Sequence, residues 1–182
     1  MRIIGGRFRG VALAAVGKGD EAAHLRPTTD RVRESLFNVL AHGYGLEDAR
    51  VLDLFAGTGA LGLEALSRGA ASVTFVDNGR KAGQLLAQNI AKLRVEDETR
   101  VMRGDATRLG SGQPHDMIFL DPPYGKGLGE KALTSAIDGG WLADGALVIW
   151  EEGNAISVPD QLTQLDERKY GDSTIHLLRF DA

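Results

Sequence analysis

Apolar residues fall into three regimes along the chain. Residues 1–25 carry only short apolar runs, Arg2-Ile3-Ile4 and Gly10-Val11-Ala12-Leu13, set among glycines and arginines. A small hairpin or extended arm fits that pattern better than a helix does. Arg26-Pro27-Thr28-Thr29-Asp30 then supplies a helix start, and Val32, Leu36, Val39 and Leu40 share one helical face opposite Arg31, Glu34 and Asn38. Gly43 and Gly45 end that helix. From residue 51 short buried-type runs alternate with amphipathic stretches. Strands are expected at 51–55, 73–77, 99–102, 116–121 and 146–150, with helices at 58–68, 82–93 and 127–138. Strands alternating with helices predict a parallel sheet covered on both faces. Residues 161–169 and 173–180 are separated by Tyr170-Gly171-Asp172 alone, too short for a parallel crossover, so this last pair is expected to be antiparallel.

Composition narrows the class. The 182 residues suit one domain of ordinary size, and 43% hydrophobic with 25% charged residues are globular values. Cysteine is absent, which excludes disulfides, Cys-ligated metal and a thiol nucleophile. No apolar run reaches the roughly 18 residues of a membrane span, and the start lacks the apolar core of a signal peptide. A soluble, cytoplasmic domain is the expectation. Two details depart from this plain picture. Glycine numbers 24, an excess that suggests tight turns and close backbone approaches. The net charge of −4 divides as +3 over residues 1–34 and −7 over the rest, so a basic arm precedes an acidic body.

Candidate chemistry gathers at the ends of the expected strands. Asp53-Leu54-Phe55-Ala56-Gly57-Thr58-Gly59 follows the first strand and opens a helix, where glycines admit a ligand to the backbone and free N–H groups face it. Gly57, Gly59 and Gly62 also give the Gly-x-Gly-x-x-Gly spacing of dinucleotide sites, so spacing alone leaves a nicotinamide enzyme open. Asp53 tilts the reading away from it, because a carboxylate there repels a pyrophosphate but accepts hydrogen bonds from an ammonium group through water. Asp77, with Asn78 beside it, ends the second strand, where an acidic residue typically accepts ribose hydroxyls. Asp105, followed by Ala106, lies after the third strand, suited either to an adenine amino group or to capping a helix.

The most specific feature is Asp121-Pro122-Pro123-Tyr124 after the fourth strand. Two prolines make a rigid turn whose carbonyls remain free to accept. The Asp121 carboxylate and the Pro122 carbonyl can take the two hydrogens of an exocyclic amino group, and Tyr124 offers a face for a base that has left its stack. Arg2, Arg7, Arg9, Arg26, Arg31 and Arg33 together look like phosphate contacts, although any one arginine on a helix is usually solvated. The four histidines show no ligand spacing, and no metal is expected.

These motifs together resemble the RsmD family of bacterial 16S ribosomal RNA guanine-N2 methyltransferases. The resemblance rests on Arg2–Gly6, Leu25–Glu34, Leu36-Phe37-Asn38, Asp53–Arg68 and Asp121–Tyr124. It implies a Rossmann-like α/β class I methyltransferase, with a seven-stranded, mostly parallel sheet whose last strand is antiparallel. Residues 1–25 would form a small basic extension and 26–182 the methyltransferase domain. It implies S-adenosylmethionine as methyl donor and 16S rRNA, in 30S particles or assembly intermediates, as acceptor. Asp53, Phe55, Ala56, Gly57, Thr58 and Gly59 would hold the methionine part, Asp77 and Asn78 the ribose, and Asp105 and Ala106 the adenine. Asp121, Pro122, Pro123 and Tyr124 would hold the target base. The segment 26–34, with Arg26, Thr28, Arg31 and Arg33, would close over the cofactor and help hold RNA. Rival readings are amino methylation of adenine in nucleic acid or of a protein glutamine, a nicotinamide oxidoreductase, and a non-catalytic RNA-binding module.

Overall fold

A computed structural model describes residues 1–17 and 29–182. Its core is a seven-stranded sheet made of β1 (Arg50–Leu54), β2 (Ser72–Asp77), β3 (Thr99–Arg103), β4 (His115–Leu120), β5 (Leu142–Glu152), β6 (Leu162–Tyr170) and β7 (Ser173–Phe180). The strand order is β3-β2-β1-β4-β5-β7-β6. The first five strands run parallel to one another, and β7 runs antiparallel to both β5 and β6. Among the described residues four α-helices accompany the sheet: α1 (Asp30–Gly43), α2 (Ala60–Ser67), α3 (Arg80–Leu93) and α4 (Leu128–Asp138). The predicted parallel sheet and antiparallel closing pair are both present.

Alternate strand residues feed two separate cores, as a sheet covered on both faces requires. Val51, Phe75, Phe119, Ile149 and Leu177 pack with Phe37 and Leu40 of α1, Leu63 and Leu66 of α2 and Leu86 of α3. Leu52, Leu54, Ile118, Leu120, Val148 and Trp150 pack on the opposite face with Ala132, Leu133 and Ala136 of α4. β3 is an edge strand and is only partly covered.

The chain's start forms a short hairpin in which Arg2 bridges Ala12 around a 3-10 turn at Gly6–Phe8. Ile3 and Leu13 are buried in the first core, so this segment is packed onto the body and does not project from it. Gly6 has a φ of 77° and lies against the Ser67 carbonyl, where any Cβ would overlap it. The buried Glu64 carboxylate accepts the N–H groups of Ile4 and Gly5, both at 2.9 Å, and Arg68 Nε at 2.8 Å.

Two element boundaries differ from the sequence reading for backbone reasons. Phe55, expected to end the first strand, has a φ of 60°, so β1 stops at Leu54. Gly59 also has a positive φ, of 82°, and the helix expected from Thr58 starts at Ala60.

Candidate active site

The loop after β1 is wound tightly on its own support. Three of its residues, Phe55, Gly57 and Gly59, have positive φ, which turns the chain sharply from strand to helix. Asp53, almost without solvent exposure at 1%, directs Oδ2 at the Gly62 N–H, 3.0 Å away. Asp77 accepts the Gly57 N–H at 2.9 Å on one oxygen and the Gly79 N–H at 2.7 Å on the other. The Gly59 N–H is bound to the Ala56 carbonyl. All three glycines of the dinucleotide-type spacing therefore have their amides bonded within the protein, two of them to carboxylates. A pyrophosphate would find neither those three donors nor a favourable charge beside them, which counts against the nicotinamide reading.

Asp53 differs from the expectation of a water-mediated ammonium acceptor at the loop surface. Its carboxyl points inward and braces the first turn of α2. Burial pushes it up to about 7, the Gly62 hydrogen bond opposes that rise, and the nearby Asp77 adds to it. Asn78 is exposed beside Asp77. Asp105 is exposed and caps a 3-10 turn at Ala106–Arg108, its Oδ1 accepting both the N–H and the hydroxyl of Thr107. Ala106 is buried behind it.

Asp121–Tyr124 leaves the adjacent strand at the same level. Leu54 pairs with Leu120, and Leu120 with Trp150. The chain leaves β1 for its loop at Phe55 and β4 for its loop at Asp121, while Glu151 follows Trp150 within β5, so the two loops and Glu151 meet at the carboxyl edge of the sheet. Open α/β sheets bind ligands along that edge. Burial raises the Asp121 carboxyl well above the usual range, and Glu151, Asp53 and Glu152 raise it further. The Tyr124 hydroxyl donates to Glu151 Oε1 at 2.8 Å, and burial with that negative charge raises its proton affinity as well. Glu152 is buried and accepts the Gly153 N–H at 2.8 Å.

Sequence reasoning missed both glutamates. The available signal was their position at the end of the strand next to the Asp-Pro-Pro-Tyr strand, since neighbouring parallel strands deliver their last residues to one place. It also missed Asn89, fully buried on α3. The Asn89 side-chain amide donates to the Thr58 carbonyl at 2.9 Å and to the Ala14 carbonyl at 3.2 Å, and its oxygen accepts the Ala14 N–H at 2.7 Å. That set of bonds ties the arm to the loop after β1.

The arginines expected to contact phosphate divide into different groups. Arg33 is a correction: its side chain has no solvent exposure, so it has no surface to offer RNA. It donates to the Arg2 carbonyl and to Asp30, and its Nε lies 3.9 Å from Glu64. Burial lowers its proton affinity, and those carboxylates restore part of it. Helical periodicity could have found this, because position 33 shares a face with Leu36, Phe37 and Leu40. Arg2 is exposed and paired with Asp30; Arg7 is paired with Glu98 and lies over the Phe8 ring. Glu98 directly precedes β3, and Ser67, which holds the Phe8 N–H, ends α2. The hairpin tip with Arg7 and Arg9 therefore sits at the amino edge of the sheet, opposite Asp121–Tyr124. Arg31 is exposed on α1, while Arg26 and Thr28 lie outside the described residues.

Among the described residues no group of three or more His, Asp or Glu is set to hold a metal ion, and no helix is long and apolar enough to cross a membrane. Comparison with known proteins gives a consistent result. The Escherichia coli protein called ribosomal RNA small subunit methyltransferase D is 42% identical, across all of this chain and 91% of its own length. The Haemophilus influenzae protein of the same name is 35% identical over 94% of this chain and 89% of its own. The solved structure of yhhF from Escherichia coli superposes with a TM-score of 0.87 at 42% identity, covering 100% of this chain and 98% of that one. Residues 1–179 match the family model described as conserved hypothetical protein 95, and with these relatives the chain belongs to that family, the RsmD family.

Proposed function

We propose that the chain transfers a methyl group from S-adenosylmethionine to the exocyclic N2 amino group of a guanine in 16S rRNA, presented in 30S particles or their assembly intermediates. The observation that carries this reading is the adjacency of the loop after β1 and the Asp121–Tyr124 loop at one level of the sheet edge. The name that the two curated relatives share, a methyltransferase of the small-subunit rRNA, supports the substrate class.

The residues present fit this cofactor. It carries no phosphate, and the amides of Gly57, Gly59 and Gly62 are bonded internally. Phe55 to Gly59 would line the methionine part. Each Asp77 oxygen already accepts one N–H and has a further lone pair for a ribose hydroxyl. Asp105 and Ala106 would flank the adenine, with Asn78 at the ribose edge. When bound, S-adenosylmethionine supplies an electrophilic methyl group.

An exocyclic amino nitrogen is a poor nucleophile because its lone pair is delocalised into the ring. Asp121 and the Pro122 carbonyl accept its two hydrogens and turn the nitrogen to the methyl side, while Pro122 and Pro123 keep the turn rigid. The raised proton affinity of Asp121 makes it a better acceptor for the hydrogen that the nitrogen sheds. Tyr124 stacks on the flipped base. Arg2, Arg7, Arg9 and Arg31 contribute surface charge toward rRNA phosphates, and Arg26 and Thr28 are assigned to the same role from sequence.

The test uses labelled S-adenosylmethionine with 30S particles, naked rRNA, DNA and protein extract in separate reactions, followed by nucleoside analysis. N2-methylguanosine from the particles is the expected product. Asp121→Ala should lower turnover by about 10²–10⁴-fold while S-adenosylhomocysteine binding stays near wild type. Label in adenine or in protein, or near-normal turnover of the variant, would overturn the reading.

A further inference from the structure

We propose that Glu151 is a positioning residue for methyl transfer: from the end of β5 it holds the Tyr124 ring by its hydroxyl and sets a second carboxylate beside Asp121. The inference rests on Asp121–Tyr124 being the acceptor site.

Three observations converge on it. The strand register brings Glu151 out next to Asp121, since their preceding residues, Trp150 and Leu120, are paired. The Tyr124 hydroxyl is bonded to Glu151 Oε1 at 2.8 Å. Gly153 also packs closely on the ring, because a Cβ there would lie 2.7 Å from Tyr124 Cδ2, 3.2 Å from Cγ and 3.3 Å from Cε2. Held at its hydroxyl and backed by Gly153, the ring is positioned before a base arrives and offers its other face for stacking, so less ordering is left to pay on binding.

The second effect is electrostatic. The charged groups facing Asp121 are Glu151 and Glu152 from β5 and Asp53 from β1, and Glu151 has the largest influence among them. Like charges at close range favour the protonated form of a carboxyl group. Glu151 thereby keeps Asp121 basic enough to accept a proton from a weakly acidic amino group. Its effect on the base runs through Tyr124 and Asp121.

Full-length wild type, Glu151→Gln and Tyr124→Phe are compared on 30S particles across pH, with S-adenosylhomocysteine affinity confirming that each variant is folded. Activity requires the Asp121 carboxylate, so the rate falls as pH drops through its pKa. Glu151→Gln removes the ionised group but still offers Tyr124 an amide oxygen, so the acid limb of kcat should move roughly one unit toward lower pH. Tyr124→Phe keeps the charge and loses the hydroxyl tether, so KM for the particle should rise while the acid limb stays in place. An acid limb at the wild-type position in Glu151→Gln overturns the proposal, whatever its rate. Failure of the wild-type enzyme to methylate guanine would instead remove the acceptor-site reading beneath it.

Discussion

The attachment of the N-terminal hairpin gives a sharp test of the energetics. Glu64 has no solvent exposure, yet its carboxylate meets the Ile4 and Gly5 amides, Arg68 and, at 3.9 Å, the equally buried Arg33. Glu64→Ala removes the acceptor for two backbone donors and leaves the Arg33 guanidinium with Asp30 as its one remaining ion-pair partner among the described residues. Breaking a buried pair from one side costs about 3–5 kcal/mol. For a chain of this length 1 kcal/mol corresponds to roughly 2–4 °C in Tm, so a fall on the order of 10 °C is expected. Calorimetry reads the Tm, and hydrogen exchange at the Ile4 and Gly5 amides reads the local release. Adding Arg33→Met to Glu64→Ala should recover part of the loss, because the stranded cation is then gone. A Tm within about 2 °C of wild type, or unchanged exchange at those two amides, would refute the argument that this carboxylate anchors the arm.

Two further outcomes can be measured. The Asp53 carboxyl is raised to about 7 in the folded protein from an ordinary value of 3.8, so between these values the native state retains a proton that the unfolded chain has released. Stability therefore declines as pH rises through that window, and Asp53→Asn should remove this part of the slope; parallel Tm–pH profiles for variant and wild type would contradict the assignment. Gly62→Ala would set a Cβ 2.4 Å from Phe75 Cε1 and 2.7 Å from Val73 Cγ1. That crowding, worth about 1–3 kcal/mol, should outweigh the gain in helix propensity and lower the Tm, and a raised Tm would show that the α2–β2 contact yields easily.

The sheet and its closing antiparallel pair were legible because period and loop length are local properties of sequence. Asp121–Tyr124 stood out in the sequence as a rigid carbonyl-bearing turn after a buried strand, and its place at the carboxyl edge followed from the strand before it. Glu151 was not, since its significance comes from strand register, which pairs Leu120 with Trp150 across 30 residues. Arg33 was misread for a related reason. Its charge suggested a surface role, while its helical phase placed it in the core with Glu64, a partner contributed by α2. Asp53 was read as facing an ammonium group through water, but its direction depended on where the Gly62 amide lay.

The position of β7 bears on how the chain reaches this fold. Residues 173–180 lie between β5 and β6 and pair with both. A nascent chain that has just exposed β6 therefore has no partner strand for it, and one side of β5 remains open. Synthesis from the amino end can assemble β1 to β5 in order of emergence, but the sheet closes only when residues 173–180 are available. Until then the apolar flank formed by Leu147, Ile149 and Trp150 is an unpaired edge, and the final strand ends this exposure by inserting at an interior position.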